Sequence, residues 1–175
     1  MKSMKKALFF VWILGGSLAS CKDKVLEQEN INTVRIEVKD GTTVVGNFTW
    51  TDPDGATGNP PRVDTIRLSP NKTYGIETRF IDASVNPNAD FTEQIKGESA
   101  AHLLVYTVST ANLTVNNLNN DGNGKPFGQT ANFITTVANA GTLRVVLKHN
   151  PDKNASNPSS TGESDVDVTF PVVIR

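Results

Sequence analysis

The sequence predicts an all-β protein, an immunoglobulin-like two-sheet sandwich of about eight or nine strands with one short helix. Three observations point there. Short apolar/polar alternations recur from residue 34 to the last residue, the strongest being Val166, Val168, Phe170, Val172 and Ile174 against Asp165, Asp167 and Thr169. Turn signals separate these segments: Asp40-Gly41, Ser69-Pro70-Asn71-Lys72, Asp121-Gly122-Asn123-Gly124 and Ala140-Gly141. Nowhere does a long helical period or an internal repeat appear.

The first twenty residues stand apart from that pattern. Lys2, Lys5 and Lys6 precede an apolar run from Ala7 to Leu14, then Gly15-Gly16-Ser17 and small residues. This is the order of a secretory signal, and the run is shorter than the about 20 residues a membrane span needs. Residues 1–20 are expected to be a signal peptide, 21–30 a polar tether and 31–175 the β-domain. Loss of the signal takes three lysines and no acid, so net charge falls from -1 to -4. A mildly acidic chain without a basic block does not suit nucleic acid. Its single cysteine, Cys21, allows no internal disulfide.

In order, Val34, Ile36 and Val38 form a strand that is wet on one face, and Asp40-Gly41 turns it back. The return strand places Val44, Phe48 and Trp50 on one side. A Pro- and Gly-rich loop over 51–62 leads to a strand over Val63–Leu68 with Ile66 and Leu68 inward. After the Ser69–Lys72 turn, Tyr74, Ile76, Thr78 and Phe80 share a face. Asp90-Phe91-Thr92-Glu93 reads as a capping box opening a short helix through Glu98. Strands follow at 102–108 and, more weakly, 113–118. A polar loop over 119–128 precedes a strand over 130–136 with Phe133 inward. Ala140-Gly141 turns into a strand carrying Leu143, Val145, Leu147 and His149 on one side. After a loop over 150–162 comes the final strand, in which Pro171 calls for an edge position or a bulge.

Candidate chemistry is sparse. His149 ends an inward-facing register, with Glu163 and Asp165 expected nearby if the last two strands form a hairpin. His102 opens a strand four residues after Glu98. His102, His149, Glu98 and an acid from Glu163 or Asp165 would make a zinc or copper site; the alternative is that each histidine caps the sandwich end and bonds to backbone. Asp52 and Asp54, and separately Asp121 and Asn123, resemble parts of calcium loops, though such stretches also form turns in their own right. Trp50 is either core or, if exposed, a sugar platform. There is no serine elbow and no HExxH pair, so an enzyme is not expected.

Leu18-Ala19-Ser20-Cys21 resembles a bacterial lipobox. That resemblance implies diacylation of the Cys21 thiol, cleavage before it and acylation, for example with palmitate, of the new amine. Asp64-Thr65-Ile66 resembles the O-glycosylation motif of Bacteroidota, with Thr65 as acceptor. Further matches are Phe48-Thr49-Trp50-Thr51-Asp52-Pro53-Asp54-Gly55, the Leu68–Tyr74 turn, the acid-rich short helix before His102, Leu147-Lys148-His149-Asn150-Pro151 and the Val168–Val172 terminus. Together with the lipobox they make the chain similar to a group of small Bacteroidota outer-membrane lipoproteins with a β-sandwich domain. The resemblance implies a lipid-anchored protein of the cell envelope and carries no activity with it.

Three functions follow as expectations. One is a non-enzymatic envelope binding or accessory protein, whose partner is an outer-membrane protein or a glycan. Another is a metal-binding lipoprotein that uses the two histidines, and the third is a structural envelope component. No cofactor is required by the sequence; zinc, copper and calcium are the candidates.

Overall fold

The computed structural model describes residues 30–55 and 57–175. The expected signal peptide, Cys21 and nearly all of the tether lie outside the described residues. Within them the chain is an all-β, two-sheet sandwich. Its strands are β1 (Thr33–Asp40), β2 (Thr43–Thr51), β3 (Arg62–Val63), β4 (Ile66–Leu68), β5 (Thr73–Asp82), β6 (Ala89–Asp90), β7 (His102–Ser109), β8 (Leu113–Asn116), β9 (Thr130–Thr135), β10 (Asn139–His149) and β11 (Glu163–Ile174). One helix, α1 (Thr92–Gly97), and a 3-10 turn over Ser99–Ala101 come between β6 and β7. The larger sheet runs β3-β2-β1-β5-β9-β8, with β6 added beside β5; the smaller runs β4-β11-β10-β7.

Alternation explains the core. In the larger sheet Val34, Ile36 and Val38 stand opposite Phe80, Thr78 and Ile76, and all six are buried. In the smaller sheet Leu143, Val145 and Leu147 stand opposite Phe170, Val168 and Val166. The two inner faces close on each other around Phe80, Phe133 and Phe170, which are fully buried. Burial of such faces is the main favourable contribution to folding, at about 25 cal/mol per Å² of apolar surface.

Several local expectations are corrected, each for a physical reason. Val44 does not face inward. Val38 pairs with Gly46 and Lys39 with Val44, so Val45 is an extra residue, a β-bulge that breaks the parity of the hairpin arm. Val44 is 45% exposed, and the inward set on β2 is Gly46, Phe48 and Trp50. The single strand expected over Val63–Leu68 is two strands in different sheets: β3 pairs with β2, and β4 pairs in parallel with β11. Asp64 marks the crossover, its carboxylate accepting the Thr49 amide at 2.8 Å. The capping box is only half made. Asp90 accepts the Thr92 amide at 2.9 Å, whereas Glu93 pairs with Lys96 instead of reaching back. At Pro171, by contrast, the expected edge position is found: β4 covers β11 only from Val172 onward, so Pro171 lies where that flank is open and no bulge is needed.

Ala140-Gly141 is not a turn but part of β10. The reason for the glycine is close approach: a Cβ at Gly141 would lie 2.1 Å from the Ala111 nitrogen and 2.3 Å from the Ser109 oxygen. The Gly141→Ala variant should therefore lose about 1–3 kcal/mol, read as a lower midpoint in urea denaturation.

Candidate metal centre

The site forms where three strands of the smaller sheet end together. β10 pairs with β7 in a register that finishes at His149 opposite His102. Each histidine lies two residues from an inward leucine, Leu147 and Leu104, and so inherits the core-facing direction. The Asn150 amide donates to the Ala101 carbonyl at 2.7 Å and holds the strand ends together. α1 lies nearby, its Ile95 buried in the core.

His102 is 1% exposed, and its Nδ1 lies 3.1 Å from the Glu98 carbonyl oxygen. A carbonyl can only accept, so Nδ1 carries the hydrogen. In the neutral ring Nε2 is then the lone-pair nitrogen. Orientation of one ring nitrogen by a backbone carbonyl is the usual preparation of a metal-ligating histidine.

Asp165 arrives by a bulge. Strict alternation expects it to face outward beside Asp167. Instead Leu147 pairs with Val166 and Lys148 with Ser164, leaving Asp165 as the extra residue on β11. The side chain turns in and is 3% exposed, whereas that of Asp167 is 43% exposed and engages Arg144 on the outer surface.

Asp165 Oδ2 lies 3.6 Å from His102 Nε2, and Oδ1 lies 3.4 Å from His149 Nδ1. The two imidazoles stack with centroids 4.9 Å apart and planes 20° apart. Asp165 Oδ2 and His149 Nε2 are buried and have no hydrogen-bond partner. A carboxylate facing two imidazole nitrogens in a buried site calls for something positive between them, a proton or a cation. The two separations are long for hydrogen bonds. They are close to the edge of a zinc tetrahedron, which is about 3.4 Å for bonds of about 2.1 Å. One ligand atom from each of His102, His149 and Asp165 can be chosen so that all three lie within 4.8 Å of one another.

The other expected members stay outside this group. Glu98 contributes its backbone carbonyl, and the group holds no Glu98 carboxylate. The 3-10 turn, not a continued helical face, brings Glu98 to His102. Glu163 is opposite His149 in register but exposed.

The calcium candidates are largely spent on their own loops. Asp121 Oδ1 accepts the Asn123 and Lys125 amides, both at 2.9 Å, and Oδ2 accepts Lys153 Nζ at 2.9 Å, so a lysine ammonium occupies the side a calcium ion would need. Asn123 enters through its backbone amide. Asp54 Oδ2 accepts the backbone and side-chain N–H groups of Asn59. Asp52 keeps one buried carboxylate oxygen without a hydrogen-bond partner, in a polar cleft shared with Asn30, Asn32 and Trp50. Trp50 is half-buried and packs against the core. Thr65 is half-buried at the crossover between β3 and β4 rather than openly displayed.

Two buried acids carry a pH dependence. Burial pushes the Asp121 carboxyl up, but the bonds from Lys153, Lys125 and Asn123 outweigh it and hold the group below the usual carboxylate range. The Ser84 hydroxyl and amide, then Asn32 and Asn30, do the same for Asp82, against burial. Because both folded values lie below the unfolded ones, the associated stability is complete above about pH 4 and is lost as pH falls through the depressed folded values. The melting temperature should hold from pH 6 to about pH 4 and then fall, and Asp121→Asn should flatten that fall.

No family model, curated protein or solved structure matches this chain.

Proposed function

We propose that this chain is a lipid-anchored protein of the bacterial outer membrane whose sandwich holds one Zn²⁺ or Cu²⁺ ion through His102, His149 and Asp165. The observation that carries the reading is the inward-turned Asp165 carboxylate. It is buried, one oxygen has no hydrogen-bond partner, and its two oxygens each face a ring nitrogen of one imidazole at ligand-to-ligand distances. Donor chemistry narrows the ion. The chain's methionines are Met1 and Met4 and its cysteine is Cys21, so the domain offers no sulfur. Imidazole with carboxylate suits Zn²⁺ or Cu²⁺ and does not favour Cu⁺. Three protein ligands leave a fourth position for water or for a donor from a partner. His149, at 18% side-chain exposure, is the most open of the three and gives the ion its route to solvent. Held near a membrane by Cys21, such a site suits keeping or passing on a metal ion.

The test is the metal content of protein purified without chelator, beside the His149→Ala variant. About one zinc or copper per chain, lost in the variant, is the expected result. Metal-free protein that gains no thermal stability from added zinc or copper would contradict it.

A further inference from the structure

We infer that the cleft bounded by β7, β8 and the β10–β11 loop is a binding site for a small, uncharged, largely apolar molecule, independent of the metal centre.

The cleft exists because the sandwich does not close on this flank. β7 is the last strand of the smaller sheet and β8 the last of the larger one. Leu103, Leu104, Val105 and Tyr106 supply one wall, and Val115 and Leu118 the other. Lys153 and the segment Asn157–Ser159 of the β10–β11 loop complete it. Hydrogen bonds hold it open in advance. The Leu104 amide donates to the Phe127 carbonyl at 2.7 Å and fixes the β8–β9 loop against β7. Lys153 Nζ donates to Asp121 Oδ2 at 2.9 Å and to the Ser99 carbonyl at 2.7 Å, tying the β10–β11 loop across the same flank. Gly128, at φ +90°, lets these walls meet, since a Cβ there would lie 2.9 Å from Leu118 Cδ2.

Chemistry then fixes the ligand class. The volume is about 280 Å³, just under the roughly 300–1,000 Å³ of pockets for drug-sized ligands, so the occupant is smaller than those. Asn157 and Ser159 stand exposed on the loop, the Ser159 hydroxyl donating to Asn157 Oδ1 at 2.6 Å, and the polar groups on the strand side are engaged elsewhere. Lys153 is neutralised by Asp121, and the Tyr106 hydroxyl donates to the Gly128 carbonyl at 2.8 Å and meets Thr78 Oγ1 at 2.8 Å. Among the described residues that line the cleft, no cation is left to hold an anionic head group. An apolar, uncharged molecule gains burial against the leucines and valines without stranding a charge.

The test is fluorescence titration of the full chain with uncharged N-phenyl-1-naphthylamine and with anionic 1-anilinonaphthalene-8-sulfonate. Val105→Phe and Val115→Phe each place a ring in the cleft from a half-buried strand position. The expected result is saturable, one-site binding of the uncharged probe, weakened about tenfold or more in whichever filled variant keeps the native melting temperature. The sulfonate should bind about tenfold or more weaker than the uncharged probe. Several outcomes would overturn the inference: no saturable binding of the uncharged probe, equal binding by both folded variants, or preference for the sulfonate. A dimer that both variants dissociate would assign the cleft to a second copy of the chain and overturn it as well.

Discussion

Asp165→Asn should weaken zinc or copper binding by about 100-fold or more while leaving the metal-free protein as stable as the wild type, or more so. The two halves of this expectation separate a metal ligand from a structural ion pair. The Asp165 side chain is 3% exposed, with one oxygen facing His102 Nε2 and the other His149 Nδ1. Without an ion, the charge of this buried carboxylate is balanced at the site by a proton on one of the two imidazoles. Asparagine keeps the shape, removes the charge, and presents an amide N–H that can donate to the His102 lone pair. It cannot supply a carboxylate to a cation. Isothermal titration with zinc, beside thermal melts in chelator, reads both halves. Loss of several kcal/mol of stability in the metal-free variant, with zinc affinity unchanged, would mean that the carboxylate serves as the buried partner of a protonated histidine.

Phe133→Ala should cost the fold about 3–5 kcal/mol. Phe133 is fully buried on β9, opposite Tyr74 of β5 on one side and Val115 of β8 on the other. Truncation removes a ring from the larger sheet's inner face, and neighbours held by two ladders cannot collapse into the gap. For a domain of this size the loss corresponds to a melting temperature lower by about 10 °C. Val44→Ala, at a position 45% exposed, should change stability by less than about 0.5 kcal/mol. Urea denaturation of the two variants side by side checks the contrast.

That contrast also marks how far the sequence could be read. Parity along a strand found the inward faces of β1, β5, β10 and β11, because alternation is a direct record of one wet and one dry face. Parity failed where the ladder slips. Val44 lost its inward place to the extra residue Val45, and Asp165 gained one by being the extra residue on β11. Gly46 beside Val45 is a local mark of the first bulge, whereas no glycine or proline adjoins Asp165 to signal the second. Both histidines were legible as strand-end residues, His149 alone on the core side by parity, and their meeting followed from the β7–β10 register, which depends on strand order. Glu98 was placed beside His102 by sequence distance, but a 3-10 turn delivers its carbonyl to the ring. The break between β3 and β4 was hidden because Val63 and Ile66 both look like strand residues, and only the sheets they join distinguish them. The lysine held by Asp121 comes from 32 residues away, which no reading of a turn motif reveals.

The most direct test of the metal centre is a crystal of the zinc-loaded protein measured at wavelengths either side of the zinc absorption edge. The expected result is one strong anomalous peak at about 2.0–2.2 Å from His102 Nε2, from a ring nitrogen of His149 and from an oxygen of Asp165. Zinc found only at surface carboxylates, with the two imidazoles still stacked on each other beside Asp165, would contradict it.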